Sequence, residues 1–180
     1  NISAGKDHTC VTLGNGQAKC WGENYYGQLG SALSGHSIQN EHSYSSGTDN
    51  STPVLVSRLT NVKGIGAGGY QTCATFDNGT AKCWGRNSEG QLGVGSQYDN
   101  SSVPIVVDNL TNVRLRPKMN FTTTSRSSII SSGVYFSCAV LNNGSTKCWG
   151  QNNNGQLGDN STINSKVPVS VLNLSNVKLP

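Results

Sequence analysis

Two sets of residues in this chain could do chemistry. The first is six cysteines, Cys10, Cys20, Cys73, Cys83, Cys138 and Cys148, which fall into three pairs with the same spacing. Thiols so placed could ligate zinc or form disulfides. A zinc site needs about four convergent ligands, whereas each pair supplies two and no histidine recurs beside them. The second set is His36, Glu41, His42 and Asp49. These side chains could gather around a metal or act as acid and base, but a polar stretch of this kind also collects them by composition alone. His8 precedes Cys10, yet Gln71 and Phe136 stand at the equivalent places, so it belongs to no repeated site. The nine carboxylates form no recurrent pair, and there is no phosphate loop, nucleophile elbow or His-Glu-x-x-His. The sequence therefore predicts a chain with no catalytic residues, no metal and no cofactor.

The elements that must position the cysteines can be read from the turns between them. Gly14-Asn15-Gly16, Asp77-Asn78-Gly79 and Asn142-Asn143-Gly144 each suit a three-residue hairpin loop closed by a left-handed glycine. In that register Leu13 faces Gln17 and Cys10 faces Cys20. Hydrogen-bonded and non-hydrogen-bonded pairs alternate outward from the turn, which puts the cysteines on a non-hydrogen-bonded pair, where Cβ atoms lie closest. Cys73 with Cys83 and Cys138 with Cys148 follow the same geometry. Three local bridges thus account for all six cysteines and imply an oxidising compartment. A bridge closing so short a loop contributes about 2 to 3 kcal/mol and fixes the hairpin register.

The hairpins belong to a larger repeat. Cys-Trp-Gly at 20–22, 83–85 and 148–150 is followed each time by Gly-Gln-Leu-Gly, at 27–30, 90–93 and 155–158, and then by a Pro-Val or Pro-Ile step at Pro53, Pro104 and Pro168. Leu-Thr-Asn-Val or Leu-Ser-Asn-Val closes each unit, at 59–62, 110–113 and 174–177. Unit one spans 1–62 with a long loop at 31–52, unit two 63–113, and unit three 131–180 after an insert at 114–130. Composition agrees with strands and turns: 22 Gly, 24 Ser, 14 Thr and 21 Asn leave few helix formers. Each unit reads as about four short antiparallel strands, so the fold class is all-β, an open or partial array of propeller-type blades.

The net charge of +4 is spread out, and the nearest basic patch, Arg114, Arg116, Lys118 and Arg126, sits in a Ser- and Thr-rich segment; no nucleic-acid partner is implied. No apolar run is long enough to span a membrane. The single methionine is Met119 and the first residue is Asn1, so the chain reads as a processed or partial product.

Gly-x4-Cys, the Asn-Gly turn, Cys-Trp-Gly and Gly-Gln-Leu-Gly together resemble the repeats of the regulator of chromosome condensation family, and most closely its extracellular, disulfide-containing branch. The resemblance implies a propeller, usually of seven blades, with four strands per blade. Trp21, Trp84, Trp149, Leu29, Leu92 and Leu157 are then expected in the repeat core. Three units do not close such a ring, so further blades or copies of the chain are the expected partners. Nine Asn-x-Ser/Thr sequons, at Asn1, Asn50, Asn78, Asn100, Asn109, Asn120, Asn143, Asn160 and Asn173, exceed the roughly four that composition gives and suggest a glycosylated, secreted or surface-attached protein. The expected role is structural or protein-binding, as in a filament, sheath or adhesin. The alternatives are a soluble regulatory module resembling guanine nucleotide exchange factors and an extracellular hydrolase using the 36–49 loop.

Overall fold

The computed structural model describes residues 1–32, 48–95, 100–113 and 130–174. These form three four-stranded antiparallel sheets in sequence order. The first contains β1 (Ile2–Ala4), β2 (His8–Thr12), β3 (Ala18–Gly22) and β4 (Asn50–Leu55). The second contains β5 (Val62–Ala67), β6 (Gln71–Phe76), β7 (Ala81–Arg86) and β8 (Asn100–Val106). The third contains β9 (Ile130–Ser132), β10 (Phe136–Val140), β11 (Thr146–Gly150) and β12 (Ser165–Ser170). The chain is thus the open array of all-β blades that its repeats predict. Val62 and Ile130, both buried, open the second and third sheets.

The turns dictate the central hairpins. Gly16, Gly79 and Gly144 take φ of 80°, 74° and 79°, and Leu13 N–H donates to the Gln17 carbonyl at 2.8 Å. From that anchor Cys10 pairs with Cys20, Cys73 with Cys83 and Cys138 with Cys148. Each pair is joined by a disulfide across a Cα–Cα distance of 4.1 Å, the short separation of a non-hydrogen-bonded pair. The fourth strand of every sheet carries a bulge opposite the tryptophan: one residue on β3, Trp21, faces three on β4, between the Cys20–Val54 and Gly22–Asn50 pairs, and β8 and β12 repeat this. Pro53, Pro104 and Pro168, which have no N–H to give a ladder, occupy the bulged stretch of these outermost strands.

Apolar residues gather between sheets rather than within one. Cys10, Cys20, Leu29, Val56, Leu59, Val62, Ile65, Phe76 and Trp84 form one buried layer, drawn from the first and second sheets. Cys73, Cys83, Leu92, Val107, Leu110, Val113, Ile130 and Trp149 form its counterpart between the second and third. The sheets are also tied through their backbones, by Lys6 N–H to the Gly68 carbonyl and Gly69 N–H to the Gly133 carbonyl, both at 3.1 Å.

The glycine after each tryptophan is a tight backbone point in its sheet. Gly22, Gly85 and Gly150 take φ of 107°, 103° and 109°, and a Cβ on Gly85 would lie 2.4 Å from the Tyr70 carbonyl. Replacing Gly85 by Ala is expected to cost more than about 2 kcal/mol in urea denaturation. Gly14→Ala, at a turn position with open space and no positive φ, should change stability by less than about 0.5 kcal/mol.

Candidate functional site

The repeated feature with the most specific geometry is the joint where one sheet meets the next. The indole N–H of Trp84 in the second sheet donates to the Gln28 carbonyl of the first at 2.9 Å, and Thr72 donates its hydroxyl to the same carbonyl at 2.9 Å. One repeat later, Trp149 Nε1 donates to the Gln91 carbonyl at 3.0 Å and Ser137 Oγ donates to it at 3.3 Å. The Gly-Gln-Leu-Gly turns of the first two blades therefore cap the tryptophan of the following blade. The indole passes so close to the turn that a Cβ on Gly30 would sit 2.6 Å from Trp84 Nε1, and one on Gly93 would sit 2.8 Å from Trp149 Cδ1. The tryptophan thus packs toward its neighbour's turn, in the layer shared with the preceding sheet.

The turn is held in shape by a residue that motif reading overlooked. Buried Asn24, Asn87 and Asn152 accept from the backbone N–H of Leu29, Leu92 and Leu157 at 3.1, 3.0 and 2.8 Å. Their own N–H groups donate to Asp49, Asn100 and Asn164 side chains at the start of the outer strand region. The signal was available, since an asparagine follows every Cys-Trp-Gly after one residue.

The two ends of the array each carry half of this joint. Trp84 and Trp149 are fully buried, whereas Trp21, with no sheet before it among the described residues, is half-buried. At the other end the Gln156 turn caps no tryptophan among the described residues, and Gly158 is exposed. Leu59 and Leu110 are 4% and 2% exposed, but the equivalent Leu174 is 42% exposed. Of the residues expected in the repeat core, Trp84, Trp149, Leu29, Leu92 and Leu157 are all buried, and Trp21 is half-buried, with no preceding sheet among the described residues.

His36, Glu41, His42, Asn120 and the basic residues from Arg114 to Arg126 lie outside the described residues. Asp49 accepts from Asn24 and so serves the turn. Among the described residues no three His, Cys, Asp or Glu side chains cluster to hold a metal, and no helix is long and apolar enough to cross a membrane. Of the sequons, Asn1, Asn78, Asn109, Asn143, Asn160 and Asn173 are exposed, while Asn50 and Asn100 are half-buried at the start of outer strands. Asn78 and Asn143 lie at hairpin tips, where their side chains accept from the hydroxyls of Thr80 and Ser145 at 2.7 Å.

His8 lies in the first joint. Its Nε2 meets Thr72 Oγ1 at 2.8 Å, and because that hydroxyl donates its proton to the Gln28 carbonyl, the imidazole is the donor. Burial pushes its pKa down from 6.5 to about 4, against a weaker opposing effect of Asp7. Burial, with the charges of Asp7 and Asp49, raises the Glu23 carboxyl.

Blades of four antiparallel strands, stacked through one repeated indole contact and open at both ends, define a segment of β-propeller. A profile described as the regulator of chromosome condensation (RCC1) repeat matches residues 15–75, 78–140 and 143–179, and a second profile of that repeat matches 1–28, 62–91 and 128–156. The chain belongs to the regulator of chromosome condensation repeat family. It is 28% identical over 172 residues to the X-linked retinitis pigmentosa GTPase regulator of Canis lupus familiaris, covering 94% of this chain and 15% of that protein. It is 31% identical over 180 residues to the mitochondrial RCC1 domain-containing protein RUG3 of Arabidopsis thaliana, covering 99% and 36%. Prp20p from Saccharomyces cerevisiae, whose crystal structure is described with its binding to Gsp1p and histones, superposes with a TM-score of 0.74 at 18% identity, over 96% of this chain and 38% of that one. The last likeness is one of fold. The chain spans well under half the length of each of these proteins.

Two outcomes follow from the joint. Trp149→Phe keeps a ring but removes the donor to Gln91, and should cost about 1 to 2 kcal/mol in thermal or urea unfolding, against less than about 0.5 kcal/mol for Trp21→Phe. Because unfolded chains bind the His8 proton from about pH 6.5 downward and the folded chain only near pH 4, stability should fall by up to about 3 kcal/mol as pH drops through that window. His8→Gln, which installs the residue found at position 71, should flatten this dependence.

Proposed function

We propose that the chain is a non-catalytic, protein-binding segment of a β-propeller that works outside the cell or at its surface and is completed end to end by further blades, on the same polypeptide or on a second copy. The observation that carries this reading is the pair of half-joints. The first blade offers the Trp21 indole and the Thr9 hydroxyl, at the positions of the Trp84 and Thr72 donors, and the third offers the Gln156 carbonyl beside Gly158 and Leu174. These two surfaces complement each other in the way the internal joints do, so any blade with the same motifs fits either end. Identical chains joined this way form a heterologous contact, which gives a ring or a filament.

An oxidising setting is supported by the three hairpin disulfides, with no free cysteine among the described residues. Exposed sequons at Asn78 and Asn143 agree with it, since a glycan on a hairpin tip would project into solvent. The rival reading is a soluble regulatory module, favoured by the naming of one relative as a GTPase regulator. Intact mass and sedimentation of native material separate the two. Loss of six thiol hydrogens, added glycan mass, and association that grows from about 1 to about 100 μM and disappears in Trp21→Arg would support an extracellular assembling protein. Free thiols and a monomer throughout would overturn it in favour of the regulatory module.

A further inference from the structure

All four described tyrosines gather in one place, on one edge of the sheets. Tyr26 comes from the turn of the first blade, Tyr70 from the β5–β6 connection and Tyr135 from the β9–β10 connection. Tyr26 and Tyr70 meet edge to face with ring centroids 5.2 Å apart, and Tyr70 and Tyr135 stack at 6.0 Å. Tyr25, itself 44% exposed, adds a T-shaped contact to Tyr26 at 4.8 Å. The Arg86 guanidinium at the end of β7 lies over the Tyr26, Tyr70 and Tyr135 rings, 5.2, 5.8 and 5.0 Å from their centroids. Its Nε donates to Ser88 Oγ at 2.7 Å, and no carboxylate of the described residues lies within ion-pair distance of it. Lys6, which donates to the Tyr70 hydroxyl, is paired with Asp7 at 3.4 Å. Of the two cations in this cluster, Arg86 is therefore the one without a counterion among the described residues.

The repeat does not require this cluster. Asp7 holds the place of Tyr70 and Tyr135, Glu89 and Asn154 hold the place of Tyr26, and Glu23 and Gln151 hold the place of Arg86. Framework residues recur in each blade, whereas these four come from three different repeat positions and meet only because the blades stack. Tyrosine and arginine are also the side chains that concentrate binding energy at protein interfaces.

We propose that this cluster is a docking site for a partner protein segment that places one carboxylate on the open face of the Arg86 fork and flanking apolar side chains on Tyr25 and Val134, the latter 48% exposed. A guanidinium with its outer N–H groups free matches a carboxylate with two parallel hydrogen bonds. A stacked sugar is disfavoured, because the cations already cover ring faces. A nucleic-acid backbone is disfavoured by Asp7 and Asp49, whose charges act on Glu23 beside Lys6 and, together with it, would repel a run of phosphates while sparing a single carboxylate. The site rests on the protein-binding reading but not on end-to-end assembly, so a chain that never self-associates leaves it intact.

The test uses the whole chain and fluorescence anisotropy with a labelled peptide centred on Leu-Glu-Leu, its Leu-Gln-Leu twin, and a labelled oligothymidylate. The glutamate peptide is expected to bind at least about ten-fold more tightly than its twin. Arg86→Gln should erase that difference, and Tyr25→Ser, which alters only an exposed ring, should weaken the glutamate peptide about three-fold with an unchanged Tm. Equal binding of the twins to the unaltered chain, no binding of either up to about 1 mM, or preference for the oligothymidylate would each overturn the proposal, and none of these depends on a variant that must fold.

Discussion

A four-stranded sheet of this size has little to bury by itself, and the way each of these sheets finds its neighbour rests on one polar contact inside an apolar layer. The indole of Trp84 or Trp149 places a large ring between two sheets, and its N–H would be left unpaired there if the neighbouring turn did not present a carbonyl. Nearly every other motif residue follows from that demand. Gly30 and Gly93 leave room for the ring, Asn24 and Asn87 hold the turn in shape, and Gln28 and Gln91 supply the acceptor while their side chains bond the backbone of their own turns. The bulge at the proline step lets the outer strand pass the tryptophan without a backbone donor at that point.

The covalent bridges have a separate task. They fix the register of the hairpin that carries the tryptophan, so the ring leaves its sheet at a defined place and angle. Register matters more here than in a sheet with one large core, because a slip by one residue would turn the cysteines and alanines that line the joint to the opposite face. Order within a blade is therefore set by chemistry local to some ten residues, and order between blades by the joint.

Strand number, hairpin register and the repeat are all legible in the sequence because each rests on short-range rules: Asn-Gly turns, alternation, and recurrence of whole motifs. The direction of the tryptophans is not legible in this way, since recurrence says that a residue is framework but not which neighbour it serves. Asn24, Asn87 and Asn152 were readable and went unread, being polar residues in an asparagine-rich chain where one more asparagine carries little signal. The cluster around Arg86 could not be seen from motifs at all: its members come from three different repeat positions, and only the stacking of the blades brings Tyr26, Tyr70 and Tyr135 to one guanidinium. The partial exposure of Trp21 follows from its place at an end of the array, a property of neighbours rather than of local sequence.

No disulfide crosses from one sheet to another. Under tension applied along the polypeptide, the layers between sheets are therefore the seams that part, while each bridged loop stays closed and withholds its residues from the lengthening chain. Extension would proceed in discrete increments, one sheet leaving the stack at a time, and a detached sheet would keep its hairpin in register for return. A chain built like this can yield under load and recover its shape without breaking a covalent bond.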